Sequence, residues 1–282
     1  FGYSVETSIA DLLDNSIKAG AKNIHVDFNW SGPDSSVTVL DDGHGMTAEA
    51  LREAMRPGST HPQAPRETHD LGRFGLGLKT ASFGQCRNLT VFSKTKSSAQ
   101  AVRRWDLDYI NETQEWRLLS EIDKTTEIFA NKLDAHLSGT LVVWEKMDRI
   151  IATDSDSNND KEKARFFSIA RDVENHISLI FHRFMTGSGK IKMFVNGNVV
   201  KPLDPFLRSN RKTQDLGSNQ IEIGGHSVTV TPYVLPHQSL QSREEQAEGA
   251  LIRGWNAHQG FYIYRNKRLL VSGAWLRLYQ QE

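Results

Sequence analysis

Apolar residues recur at helical spacing through Ile9, Leu12, Leu13 and Ile17, which predicts a helix over Val5–Ala19 closed by Gly20. Ile24–Trp30 alternates as a strand, Ser31-Gly32-Pro33-Asp34 reads as a turn, and Val37–Leu40 as the returning strand. Thr47 fits the N-cap of a helix running to Met55. Residues 56–71 hold two Gly/Pro clusters and little apolar content, which predicts a long loop. Strands are expected at Leu89–Ser93, Ala101–Leu107 and Thr140–Trp144. Asp154–Asp160 contains no apolar residue and marks a linker. A helix follows over Ala164–Phe184, then a hairpin over Ile191–Val200 turning at Asn196-Gly197. Further strands are expected at Gln220–Ile223, Ser227–Val234 and Phe261–Tyr264. The pattern divides the chain into a domain over 1–150, a linker over 151–163 and a second domain over 164–282.

The 282 residues suit about two domains at roughly 150 residues each. Lys plus Arg and Asp plus Glu are both 34, so the net charge of zero excludes a globally basic coat and a polyacidic disordered chain. No apolar run approaches the ~20 residues of a membrane helix. The single cysteine, Cys86, excludes a disulfide framework and favours a reducing, cytoplasmic setting. Because the first residue is Phe1, the chain is expected to be a segment of a longer protein.

Charge is uneven along the chain. Residues 1–59 carry nine acids against four bases, and residues 60–104 eight bases against two acids. An acidic element followed by a basic, glycine-rich one suits a metal–polyphosphate ligand. On the first helix, Asp11, Asp14, Asn15 and Lys18 share one face. An Asn oxygen is a neutral hard ligand for Mg²⁺, and a carboxylate one turn away can polarise a water. Asp41-Asp42-Gly43-His44-Gly45-Met46 ends an apolar strand, where an Asp can accept from an exocyclic amine and glycines permit close backbone approach. Gly72-Arg73-Phe74-Gly75-Leu76-Gly77-Leu78-Lys79 then leads into a helix-compatible run, a spacing that points N–H groups at phosphate. It is neither a dinucleotide fingerprint, since a long polar loop precedes it, nor a Walker loop, since the Gly-Lys-Ser/Thr ending is absent.

Asp-x-x-x-Asn, Asp-x-Gly-x-Gly and Gly-x-x-Gly-x-Gly in that order within 79 residues resemble the GHKL ATPases. Those include gyrase-type topoisomerases, Bergerat-fold heat-shock chaperones, sensor histidine kinases, MutL mismatch-repair proteins and MORC proteins. Ser138-Gly139-Thr140 at the head of a late strand adds a fourth match, and 260–269 is similar to the second domain of MORC- and MutL-type members. The resemblance implies an α+β fold: a Bergerat α/β sandwich that binds ATP, followed by a second α+β domain like the ribosomal-protein-like transducer domain. It implies Mg²⁺ at Asn15, adenine read by Asp41, a base lined by Gly43, Gly45 and Met46, and Thr140 on its far side. Phosphates would lie on Gly72, Phe74, Gly75, Leu76, Gly77, Leu78 and Lys79, beneath a lid at 56–71. Two departures stand out. The general base is Asp11 where the family usually has Glu, and Lys18 stands where an acid is common.

The activity implied is Mg-dependent ATP binding with slow hydrolysis, driving lid closure and rearrangement of domains or of a homodimer. A sensor-kinase catalytic domain and an ATP-binding module with little hydrolysis are the competing readings. A lysine of the second domain would sense the γ-phosphate, and Lys267 in a strand–turn–strand is preferred to Lys201. Basic stretches at 183–212, with seven bases and one acid, and at 249–281, with five bases and no acid, permit nucleic-acid contact. The ten histidines never enclose a carboxylate at i, i+4, so no histidine metal site is expected. Cys86 is expected to be a buried or incidental cysteine rather than a nucleophile, and the tryptophans Trp105, Trp116, Trp144 and Trp255 are expected to pack cores.

Overall fold

A computed structural model describes residues 4–56, 77–151, 159–251, 254–255 and 259–276. Contacts divide the chain into two units, one comprising residues up to Ile177 with Arg183–Lys201, the other Ser178–His182 with residues from Pro202 onward.

The first unit opens with α1 (Val5–Lys18), whose Ser4 cap accepts from the Thr7 amide. Ile9, Leu12 and Leu13 bury one stripe of it. Strands β1 (Asn23–Asn29) and β2 (Ser36–Asp41) follow as a hairpin. Thr47 caps α2 (Ala48–Met55), which buries Leu51 and Met55 one turn apart. Then come α3 (Gly77–Phe83), β3 (Asn88–Lys94), β4 (Ala101–Asp106), the short α4 (Leu107–Thr113), α5 (Lys124–Glu127) and α6 (Asn131–Asp134), and β5 (Gly139–Glu145).

The sheet has the order β4-β3-β5-β2-β1, extended at the β1 edge by elements expected in the second domain. Helix α7 (Asp160–Ile180) sets Phe166 against Phe28 of β1, and β6 (Lys192–Val195) pairs in parallel with β1 before turning into β7 (Asn198–Val199). Asn196 and Gly197 take positive φ, as a tight hairpin turn requires, and Asn196 Oδ1 accepts the Phe28 amide at 2.7 Å. The division therefore falls elsewhere than at 150–164, because β6 pairs with the edge that β1 leaves open and buries Met193 and Val195. Helix α7 begins inside the expected linker, since Asn159 Oδ1 accepts the Glu162 amide and Asp160 and Glu162 suit a helix start. Residues 152–158 lie outside the described part.

The two sheet faces differ. One carries Leu40, Phe92, Leu141 and Val143, covered by Leu133, Ile122, Phe129 and Ala130 from the connection before β5. On this face the buried Arg104 bonds Asp123 at 3.0 Å and Thr126 at 2.9 Å. The other face is covered by helices. The Trp105 indole donates to the Met55 carbonyl and the Trp144 indole to Ser82 Oγ, both at 2.9 Å. Trp105, Trp144 and Cys86 are core residues, and burial pushes the Cys86 thiol well up. Trp116 is not. It is 67% exposed and leans edge-on against Trp105, which already fills that part of the core.

In the second unit, β8 (Gln214–Asp215) pairs with β11 (Tyr233–Val234), and β9 (Asn219–Ile223) with β10 (His226–Val230). Helix α8 (Arg243–Leu251) packs Gly249 on Trp255, which is half-buried. Strands β12 (Phe261–Arg265) and β13 (Arg268–Ala274) form a hairpin turning at Asn266 and Lys267, both at positive φ. Arg268 lies over the Phe181 ring, and Tyr262 and Tyr264 gather around Phe206.

Candidate nucleotide-binding site

Four chain segments meet where β2 ends. They are the last turns of α1, the loop Asp42–Met46, the end of β3 and the start of β5. Asp41 is the last residue of β2 and pairs across the ladder with Thr140, the second residue of β5. Paired residues share a face, so both point to the helix-covered side.

The Asp41 carboxylate is 5% exposed. Ser16 Oγ donates to its Oδ2 at 2.9 Å and the Gly43 amide to its Oδ1 at 2.9 Å. Burial pushes this carboxyl above the usual carboxylate range, and the bonds from Gly43, Ser16 and the Thr140 backbone only partly offset it. Each oxygen keeps acceptor capacity, so a further donor such as an exocyclic amine would relieve the desolvation of the charge.

Neighbouring Asp42 has a different task. It accepts from the Lys22 amide at 2.7 Å, the Asn23 amide at 2.9 Å and Asn23 Nδ2 at 2.7 Å. Partial burial would raise its carboxyl, but the Asn23 and Lys22 bonds outweigh that and hold it below the usual range. Asp42 thus ties the loop to the start of β1 and leaves Asp41 as the acceptor facing the site.

The glycines of this loop are explained by protein neighbours. A Cβ on Gly43 would stand 2.8 Å from both Ala19 Cβ and Ala19 O. Gly45 has φ +67°, and a Cβ there would run into the Lys94 carbonyl. Gly139 has φ +154°, and a Cβ would strike the Asp41 carbonyl. Close backbone contact of α1, β3 and β5 with the loop brings Met46 and Thr140, both half-buried, to one end of the sheet.

The expected residues Asn15, Asp41, Gly43, Gly45, Met46 and Thr140 therefore converge. Asn15 is exposed on α1, with half-buried Asp11 one turn earlier. Gly77, Leu78 and Lys79 open α3, whose end ties to α1 through Gln85 Nε2 donating to Ser8 Oγ at 3.1 Å. Gly72, Phe74, Gly75, Leu76 and the expected lid beyond Arg56 lie outside the described residues. Lys267 belongs to the second unit, exposed at the β12–β13 turn.

Two residues of the site escape the sequence reading. Ser16 and Ser93 are small, buried polar residues, and both bond to residues of the expected site. A serine after an Asn on a helix, or at the end of an apolar strand, carries no distinctive spacing. Only helix–strand packing for Ser16, and the ladder register for Ser93, reveal their partners.

Residues 3–140 match the family model described as histidine kinase-, DNA gyrase B- and HSP90-like ATPase. The chain is 26% identical over 198 residues to a DNA mismatch repair protein MutL of Colwellia psychrerythraea, covering 68% of this chain and 26% of the relative. It is 32% identical over 88 residues to the ATPase morc-1 of Caenorhabditis elegans, covering 31% of this chain and 10% of that protein. The chain thus spans about a quarter or less of these relatives. Among solved structures it is similar to the ATPase and transducer domains of DNA topoisomerase II from Balamuthia mandrillaris. The TM-score is 0.43 at 15% identity, over 70% of this chain and 48% of that one. No helix among the described residues is long and apolar enough to cross a membrane.

Proposed function

We propose, from the premise that residues 3–140 form a GHKL ATPase domain, that this chain binds MgATP and hydrolyses it slowly to drive a conformational cycle. The observation that carries this reading is the buried Asp41 carboxylate, held by Ser16 and Gly43 beside Thr140 where a base amine would dock. The Asp41 carboxylate accepts from the adenine amino group, Met46 offers a polarisable surface to the ring, and Gly43 and Gly45 keep the loop backbone close. Residues 72–79 cradle the phosphates with backbone N–H groups, and Lys79 adds a charge. The donor chemistry at the exposed Asn15 suits Mg²⁺, which when bound neutralises phosphate charge. Asp11, one helical turn from Asn15, takes a proton from the attacking water. Aspartate is one methylene shorter than glutamate, so its reach is less and turnover is slow.

The 56–71 segment acts as a lid, and Lys267 of the second unit senses the γ-phosphate as a point charge. The cycle couples to dimerisation and to a nucleic acid or protein partner, for which the exposed bases Lys190, Lys192, Lys201, Arg211 and Lys212 provide positive charge. The short reach of Asp11 favours a second reading, a nucleotide-binding module with little hydrolysis.

The deciding experiment is calorimetry of ATP binding together with phosphate release for the wild type, Asp41→Asn and Asp11→Asn. The ATPase reading expects weakened binding in Asp41→Asn, and preserved binding with lost turnover in Asp11→Asn. Equal low phosphate release by wild type and Asp11→Asn, with ATP bound by both, leaves the binding module. Unchanged affinity in Asp41→Asn removes the assignment of the base end.

A further inference from the structure

Ser93 sits at the end of β3, fully buried, and its hydroxyl makes three contacts. It bonds the Gly139 carbonyl at 3.0 Å, the Met46 amide at 2.9 Å and Thr140 Oγ1 at 2.9 Å. A serine hydroxyl has one hydrogen and two lone pairs. The Gly139 carbonyl can only accept, so it takes the hydrogen. The Met46 amide can only donate, so it takes one lone pair. Only the second lone pair is left for Thr140, so the Thr140 hydroxyl must donate to Ser93. Its own hydrogen is then committed inward, and towards the site Thr140 shows an oxygen that can only accept.

We infer that Ser93 is a positioning residue for base selection, which fixes the Thr140 hydroxyl as an acceptor beside the Asp41 carboxylate. This deepens the nucleotide reading above and rests on it. Two acceptors from paired residues of one ladder then face the base edge. An exocyclic amine carries two hydrogens and can satisfy both, directly or through a water. A carbonyl oxygen in the same place meets two acceptors and no donor. The pair therefore selects a 6-amino over a 6-oxo purine, and Ser93 enforces the half of that selection that a freely rotating hydroxyl would not. With Ser93 gone, Thr140 can turn its hydrogen outward and serve a 6-oxo base as donor.

The test measures dissociation constants for ATP and for inosine triphosphate, which differ in the 6-substituent and at N1, an acceptor in adenine and an N–H in hypoxanthine, by calorimetry on the 282-residue chain. Ser93→Ala is expected to narrow the ATP preference by about three- to tenfold, the worth of one hydrogen bond. Thr140→Val should narrow it similarly, Thr140→Ser should retain it, and Ser93→Ala added to Thr140→Val should narrow it no further. A purely structural role for Ser93 would weaken both nucleotides alike and leave their ratio unmoved. That outcome overturns the inference, as does equal narrowing by Ser93→Ala with and without Thr140→Val. Should Ser93→Ala not fold, Ser93→Cys keeps the shape with a weak donor and must also narrow the ratio. An unchanged ratio in Thr140→Val overturns the inference by itself. A wild type that binds no ATP overturns the nucleotide reading and this inference together. A wild type that binds ATP, with a ratio unmoved in Ser93→Ala, overturns this inference alone.

Discussion

Ser16 Oγ donates to Asp41 Oδ2 at 2.9 Å, joining the buried side of the first helix to the last residue of a fully buried strand. The bond spans 25 residues of sequence and lies beside Asn15, the residue assigned to the metal. On the proposed reading, one helical turn thus presents the exposed Asn15 towards the phosphates and the buried Ser16 donor towards the base.

Ser16→Ala removes that donor from a carboxylate already destabilised by burial. ATP affinity is expected to fall by at least about tenfold, the low end for a hydrogen bond to a charged group. Calorimetry checks it, and thermal melting separates it from loss of fold.

The pH dependence of binding follows from Asp41. Its carboxyl is raised in the folded chain, so its ionised form, the one that accepts an amine, is lost at a pH above the ordinary carboxylate range of about 4. ATP affinity should therefore decline on acidification before ordinary carboxylates titrate, and Asp41→Asn should flatten that decline. The sign for stability is the reverse of the usual aspartate. The folded state holds this proton more tightly than the unfolded chain. Stability from this group is thus greatest at low pH and diminishes as pH rises through the window between the two values. Urea titrations of wild type and Asp41→Asn across that window would show the difference.

Asp42 behaves conventionally. Its carboxyl is depressed by the Asn23 and Lys22 bonds despite partial burial. Its contribution is present above the unfolded value and lost as pH falls through the lowered folded one. Asp42→Ala should cost about 2 kcal/mol at neutral pH, since three N–H donors lose their acceptor. Denaturant unfolding at neutral pH and under acid should show that cost shrinking as Asp42 itself becomes protonated.

Gly45→Ala tests the loop geometry. The positive φ and the collision with the Lys94 carbonyl both oppose a side chain. A loss of at least about 2 kcal/mol is expected from backbone strain and displacement of β3. Gly20→Ala is the control. Gly20 also has positive φ, but a Cβ there meets nothing within 4 Å, so the cost should be about 1 kcal/mol. Melting curves of the two variants would rank them.

The sequence by itself determined the first two helices and the main strands of the first unit, though not the short helices α4, α5 and α6, and it marked the candidate residues that carry recognisable chemistry. The Ile9/Leu12/Leu13 spacing, the Thr47 cap and the Asn196-Gly197 turn depend on neighbours within a few positions, and the described helix, cap and turn stand where those signals put them. Asp41, Gly43 and Gly45 could be marked as candidates because a strand-end Asp followed by glycines is a local pattern. Tertiary structure alone decided which unit owns 192–199, because the open flank of β1 is visible only once the sheet is built. It also decided that Trp116 stays exposed, since Trp105 had taken its place in the core. The roles of Ser16 and Ser93 belong to the same class. A serine has one hydrogen and two lone pairs wherever it stands in a chain, and what it does with them depends on a helix and strands that meet across 25 and 47 residues of sequence.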